Sequence, residues 1–473
     1  MKRLCALLLP CAVWFASTAH VGSPDVWYSG YAGPYAVRVQ VRPPQVVPGL
    51  ADVIMRVRGA NRITVAPARS DTGDEGQPPP DVATRDSEDH DRFTAKIWLM
   101  ARGAYRIVIR IDGAQGTASL IVPVNATATA LRPMSTATTW GLLAIAAFLF
   151  AGLVSIVGAA VRESVLPAGV AVSAERQQRA RLAMAAGALV MLLVLFGGWR
   201  WWSAVDEWHR ARLERPWSVT STVDSNATLR FAITDSIWLQ RGIPRSEGYR
   251  YHTAPVIPDH GKLMHMFLVR DDQQAFAHIH PASSDQDNYT AQLPALPAGT
   301  YRLYADIVHE NGFAQTLTDT LQIPPTPARA ASTDIDDTRW QADDRLDGPT
   351  LWWIGPKEVM SGQAVELGVD VVGANGLPVQ VQPYMGMAGH AAVERNDGRV
   401  FVHLHPLGTI SMAAQQAVVA KSRSARLAHT MPTATGNRVT FPYAFPEPGQ
   451  YRVWIQVRIA QGVVTSAFDV TVN

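Results

Sequence analysis

The sequence predicts a mainly β protein: three antiparallel β-sandwich domains of the immunoglobulin or cupredoxin-like kind, together with two transmembrane helices. Three observations carry this. A strand signature recurs as GAYRIVIRI (103–111), GTYRLYADI (299–307) and GQYRVWIQV (449–457). Two uncharged apolar runs interrupt the chain near its middle. A histidine motif, H-x12-H-x-H-P, occurs twice on strand-like segments 125 residues apart, at His265, His278 and His280 and again at His390, His403 and His405.

Taken in order, the chain opens on MKRLCALLLPCAVWFASTAH, which reads as a signal peptide over 1–19. Lys2 and Arg3 form its basic end, Leu4 to Ala16 its apolar stretch and Ser17-Thr18-Ala19 its small-residue cleavage site. Both cysteines, Cys5 and Cys11, lie inside it, so the mature chain is expected to hold no disulfide and no thiolate metal site. Cleavage there makes His20 the first residue, where a free amine and an imidazole can chelate copper, although a frayed terminus is the plainer expectation.

The first β domain spans 20–132, with a polar loop at 71–91 that leaves His90 solvated. The first apolar run gives a transmembrane helix at 140–161. The second, built on LAMAAGALVMLLVLFGGW, gives another at 182–202. Each has about the ~20 residues that cross a hydrocarbon core. Arg162, Arg176, Arg179 and Arg181 mark the loop 162–181 as cytoplasmic. A cleaved signal followed by two crossings places both large soluble parts outside the cytoplasm. The expected location is thus a bacterial inner membrane, with the soluble regions in the periplasm. A juxtamembrane linker (203–216) leads to a second β domain (217–324), a linker (325–348) and a third β domain (349–473).

In each strand signature a glycine turn precedes aromatic and aliphatic residues alternating with period two. Such strands close small antiparallel sandwiches. The histidine motifs fall on hairpins. In the third domain, Asp397-Gly398 is a strong turn signal and pairs position i with 795 − i. His390 then opposes His405, and His403 shares their face. Opposed Cβ atoms lie ~5 Å apart, so three imidazoles converge. Ala391, Val393, Val400, Val402 and Leu404 form the opposite, core face. In the second domain Asp272 and Gln273 take the turn, and His265 opposes His280.

At the same offset Pro258 matches Pro383, Gly261 matches Gly386, Phe276 matches Phe401, and His260 matches Met385. His260 and Met385 are therefore candidate fourth ligands for their own hairpins, with Met264, Met266, Met387 and Met412 as nearby alternatives. The candidate metal residues are His260, His265, His278, His280, Met385, His390, His403 and His405. Imidazole suits copper and zinc, and a thioether adds a preference for Cu(I), so copper is the expected cofactor and zinc the second. Against this stands a plain structural role, in which the histidines cap a sheet edge. His252, His309 and His429 have no counterpart in the other copy and are expected to be incidental. His429 lies in an insertion, 407–439, that reads as a lid or a plain loop.

The segments 19–53, 260–281 (HGKLMHMFLVR…FAHIHP) and 383–406 (PYMGMAGHAAV…FVHLHP) resemble the YtkA-like family of bacterial membrane-anchored envelope proteins. The resemblance implies immunoglobulin-like β domains and a link to copper handling.

Net charge is +2 with no basic aromatic-interleaved cluster, which argues against a nucleic-acid partner. The expected partners are the bilayer and an envelope copper-acceptor protein. An enzyme is not expected. There is no P-loop, nucleophile elbow or dinucleotide fingerprint, and Glu394, the one carboxylate on the histidine face, sits near a hairpin tip. A tri-histidine zinc enzyme and a metal-free envelope scaffold remain the alternatives. Neither span carries an ionisable residue at its centre, so transport by this chain is not expected.

Overall fold

The computed structural model describes residues 20–22, 25–70, 77–167, 169–211, 213–240, 253–325, 332, 334–344, 348–420 and 436–473. The expected signal sequence at 1–19, His252 and His429 lie outside the described residues. The chain divides into two compact units, Met1–Thr127 with Pro216–Asn473, and Ala128–Arg215. It is mainly β, with several sheets in which antiparallel pairing predominates and two long apolar helices.

The first unit holds three large apolar cores among the described residues, each between two sheets. The first core joins a five-stranded and a four-stranded sheet through Val37, Val39, Met55 and Ile97 on one side and Ile63, Ile107, Ile109 and Leu120 on the other. The second lies between the three strands Val219–Val223, Thr228–Ile233 and Asn288–Gln292 and a six-stranded sheet containing His265–Arg270, Ala275–Ile279 and Gly299–His309. The third lies between Thr350–Trp353, Val365–Val372 and Arg438–Tyr443 and a six-stranded sheet containing His390–Arg395, Val400–Leu404 and Gly449–Ile459. All three copies of the repeated signature are strands of eleven residues, Gly103–Gly113, Gly299–His309 and Gly449–Ile459.

Both hairpins take the expected register. Ala392 pairs with His403 and Val393 with Val402; Phe267 pairs with His278 and Leu268 with Ala277. The turns are wider than the two residues anticipated, because the strands end at Arg395 and Arg270 and resume at Val400 and Ala275. Gly398 N–H donates to the Arg395 carbonyl and Gln273 N–H to that of Arg270. Both positions need a left-handed backbone, φ +71° at Gly398 and +58° at Gln273, and only the first copy of the turn meets it without glycine.

Each hairpin has two buried faces. Ala391, Val393, Val400, Val402 and Leu404 line the third core, as expected, and Met264 and Met266 line the second. Strand alternation therefore turns both methionines away from the histidines. The histidine-bearing faces pack on each other through Phe267, Val269, Phe276, Tyr304, Ala392, Phe401 and Trp454. The packing is reciprocal. Tyr304 of the second sheet stacks on Phe401 of the third at 3.9 Å, and Trp454 of the third stacks on Phe276 of the second at 4.8 Å. Tyr304 and Trp454 are the same position of the repeated signature.

Three segments expected to be irregular carry secondary structure. The linker 325–348 contains a strand, Thr338–Gln341, that pairs with Ala275–Ile279 as the edge of the second sheet; its four polar-rich residues hide it in the sequence. The insertion at 407–439 carries a helix, Met412–Ala420, whose Ala413 N–H donates to Asp259 Oδ1 at 2.8 Å. His20–Val21 does not fray but adds a parallel strand to Val400–Leu404. The first domain further meets the third where Trp27 N–H donates to Thr409 Oγ1 and Ser29 N–H to the Leu407 carbonyl.

In the second unit the helices are Thr136–Glu163 and Ala174–Arg210, both long and apolar enough to cross a membrane. The second extends through most of the expected juxtamembrane linker 203–216 and into the expected loop 162–181. Ser135 and Ser173 cap the two N-termini through Thr138 N–H and Arg176 N–H. Gly158 lets the helices approach, since a Cβ there would come within 2.5 Å of Met184 Sδ.

Candidate metal centre

The two histidine triads are built by the same local device. Ahead of each hairpin stands a tight turn, Asp259–Lys262 or Tyr384–Met387, with two residues at positive φ: His260 (+52°) and Gly261 (+83°), Met385 (+48°) and Gly386 (+79°). The turn presents a carbonyl to the first histidine of the hairpin. His265 Nε2–H donates to the Asp259 carbonyl at 3.1 Å, and His390 Nε2–H to the Tyr384 carbonyl at 3.3 Å.

The second histidine of each triad is held from the opposite domain. His278 Nδ1–H donates to Gln456 Oε1 at 2.9 Å, and Gln456 is turned that way because its amide nitrogen donates to Thr338 Oγ1. His403 Nδ1 faces Asp306 Oδ2 at 3.3 Å. Asp306 and Gln456 are the strand neighbours of His265 and His390, so each first histidine's neighbour reaches across to the other triad. The third histidines are held locally. His280 Nδ1–H donates to Asp337 Oδ1 at 2.8 Å, and His405 Nδ1–H to the Ile410 carbonyl at 3.1 Å.

These outer acceptors fix the tautomers. A neutral imidazole has one N–H and one lone pair. Every outer partner accepts, so the hydrogen lies outside and the lone pair points inward. His265 Nδ1 and His278 Nε2 then face each other at 3.1 Å with two lone pairs, and His390 Nδ1 lies 3.1 Å from His403 Nε2 in the matching place. A second proton would relieve the repulsion, but burial first, and then the neighbouring imidazoles, hold the pKa values of His265, His278, His390 and His405 well below the usual 6.5. The inward Nε2 atoms of His280 and His405 have no hydrogen-bond partner.

A cation relieves all of this. Two nitrogens bound ~2.0–2.1 Å from a tetrahedral ion lie ~3.3 Å apart, close to the observed spacing. The ligand nitrogens of His265, His278 and His280 lie within 4.8 Å of one another, as do those of His390, His403 and His405. Oxygen acceptors on the far ring nitrogens are the outer shell that orients metal-binding histidines. The donor set therefore fits a metal ion at each triad.

The structure brings seven of the eight expected residues into one buried cluster, with ring contacts across the domains such as His265 to His403 at 5.5 Å and His278 to His403 at 5.7 Å. Two expectations change. His260 is not confined to its own hairpin's triad: its ring lies 5.9 Å from His265, and its ligand nitrogen groups with Asp259 and with His405 of the other hairpin. Burial lowers its pKa, against the pull of the Asp259 carboxylate. Carboxylates also lie closer than the sequence indicated: Asp306 and Asp337 are far in sequence from His403 and His280, which they face, and Asp259, next to His260, groups with His405 of the other hairpin. Met385, half-buried, occupies the turn position that matches His260.

Glu394 is fully buried and committed elsewhere. It accepts from Arg302 Nε (2.8 Å) and Nη2 (3.0 Å), Tyr304 Oη (2.8 Å) and Gln273 Nε2 (2.6 Å), all from the second domain. His309 is a structural histidine: Nδ1–H donates to the Ala254 carbonyl, Nε2 accepts from Gln315, and the ring packs on Trp217 and Trp238.

Residues 245–324 and 344–473 match a family described as a domain of unknown function (DUF8832). No curated protein matches the chain. Similar solved structures include a chimeric titin Z1Z2 tandem (14% identity over 55% of this chain and 93% of that one, TM-score 0.13). The ICAM-5 ectodomain fragment is 11% identical over 92% and 76%, with a TM-score of 0.16. A protein from Corynebacterium diphtheriae described as membrane anchored is 10% identical over 95% and 96%, with a TM-score of 0.15.

Proposed function

We propose that this chain is a membrane-anchored metal-binding protein of the bacterial envelope, with YtkA-like character and immunoglobulin- or cupredoxin-like sandwiches. It holds copper, or second to that zinc, at two tri-histidine centres and buffers it or delivers it to an acceptor protein. The observation that carries this reading is the lone-pair contact of His265 with His278, matched by the His390–His403 pair at the same separation, in rings whose outer nitrogens face acceptors. An all-imidazole donor set without cysteine suits both metals and an oxidising compartment. The two apolar helices support anchoring in the inner membrane. Signal and span parity support a periplasmic position for the β domains.

The competing reading is a scaffold, favoured by the aromatic stacks and by Glu394, which hold the second and third domains together without any ion. It predicts no more metal affinity than a surface histidine pair. The test is titration of the full-length protein in detergent with Cu(II), Cu(I) and Zn(II), counting bound metal. Because the first domain adds a strand to the third, the whole chain is used. Changing His278, His280, His403 and His405 together to alanine abolishes tight binding if the proposal holds. Retained stoichiometric binding in that variant sinks the site assignment.

A further inference from the structure

His260 differs from every other histidine of the cluster. Each of the other six gives one nitrogen to an outer acceptor. His260 makes no such well-aligned bond: neither buried ring nitrogen has a partner of hydrogen-bond geometry, the Met385 backbone only lying close enough to pull its pKa up, and its side chain is 0% exposed. The Asp259 carboxylate stands 3.7 Å from Nε2, beyond hydrogen-bond reach, and takes the Ala413 N–H instead. A buried imidazole with two unmet nitrogens is costly. His309 shows that this chain satisfies both nitrogens of a histidine whose role is packing.

The position of the ring is equally specific. It meets His265 of the first centre edge-on at 5.9 Å, and His390 and His405 of the second at 5.3 Å each. Rings within one triad stand 4.4 Å (His403 and His405) to 5.4 Å (His265 and His278) apart. His260 thus lies between the centres, at in-triad distance from two rings of the second and slightly farther from His265 of the first.

We infer that His260 is a bridging ligand, one ring nitrogen serving the metal ion of each centre, so that the two ions form one dinuclear unit. This rests on the metal-binding reading above. As the second nitrogen–metal bond forms, the ring's N–H proton leaves to solvent, and the bound ring is an imidazolate. Met385, at the matching turn, has a single donor atom and does not repeat the bridge. The unit is therefore asymmetric although the triads are not.

The test uses the full-length protein in detergent, loaded with two equivalents of Cu(II) chloride and examined by low-temperature electron paramagnetic resonance. An imidazolate bridge couples the two d9 ions antiferromagnetically, so the integrated signal falls well below two spins per chain. In His260→Ala loaded identically, the signal recovers toward two spins; His260→Gln, which keeps a polar side chain in the space, does the same. Two bound ions with a full, uncoupled signal in the wild-type protein overturn the bridge and leave the metal-binding reading standing. Coupling that persists in both variants overturns the assignment to His260. No bound copper in the wild-type protein overturns both.

Discussion

Gln456 lies in the third domain, yet it orients a ligand of the first centre, whose three histidines all belong to the second. Gln456→Leu keeps the side-chain volume and removes the acceptor for His278 Nδ1–H. Two consequences follow from the geometry. The metal-free protein is left with a buried, unpartnered N–H, which costs about 1–3 kcal/mol. The His278 tautomer is no longer fixed, and loss of such an outer-shell partner weakens metal binding by about 10–100-fold, or ~1.4–2.8 kcal/mol. The assay is competition for Cu(II) against a chelator in a His403→Ala, His405→Ala background, where only the first centre remains. A change below about threefold in a folded protein refutes the positioning argument. So does an equal loss in the reverse background, His278→Ala with His280→Ala, because the Gln456 side chain hydrogen-bonds a histidine of the first triad, and its tie to the second is the backbone pairing with His390.

Further outcomes follow from the same structure. Because burial depresses the pKa values of His265, His278, His390 and His405, the unfolded chain takes up protons near pH 6.5 while the folded chain does not. Stability of the metal-free protein is therefore full above that pH and falls below it, by up to ~1.4 kcal/mol per pH unit for each histidine. Chemical denaturation with chelator at pH 8, 6.5 and 5.5 reads this, and a flat profile contradicts the buried neutral rings. Glu394→Ala strands the Arg302 guanidinium in the domain interface and is expected to cost about 3–5 kcal/mol in a denaturation midpoint series. Gly408→Ala would place a Cβ 2.2 Å from the Trp27 carbonyl oxygen at a residue with φ +117°, so it should release the first domain from the third. Limited proteolysis within residues 20–126 should then accelerate, and unchanged cleavage in the variant contradicts the close approach.

Much of the site was legible in the residues because it is local. The H-x12-H-x-H spacing on a hairpin fixes which side chains share a face, since strand alternation leaves no freedom once the register is set. The register followed from the turn and from the apolar run of Ala391, Val393, Val400, Val402 and Leu404. The long helices followed from uninterrupted apolar length. The polar edge strand Thr338–Gln341 was not legible, because four residues without a clean alternation carry too little signal, and Asp337 was missed with it.

What the chain determined by itself is therefore the pair of triads, the strands that carry them and the two long apolar helices. Only the tertiary structure decided that the two histidine faces meet. Period-two patterning records that a face is apolar or polar, not which other surface covers it. Long-range packing set Phe276 beneath Trp454, Phe401 beneath Tyr304, Gln456 on His278, Asp306 on His403, and His260 between the centres. The first four contacts, and those of His260 with His390 and His405, join residues more than ninety positions apart, where no local spacing rule reaches, and their geometry comes from two folded sheets docking as rigid surfaces.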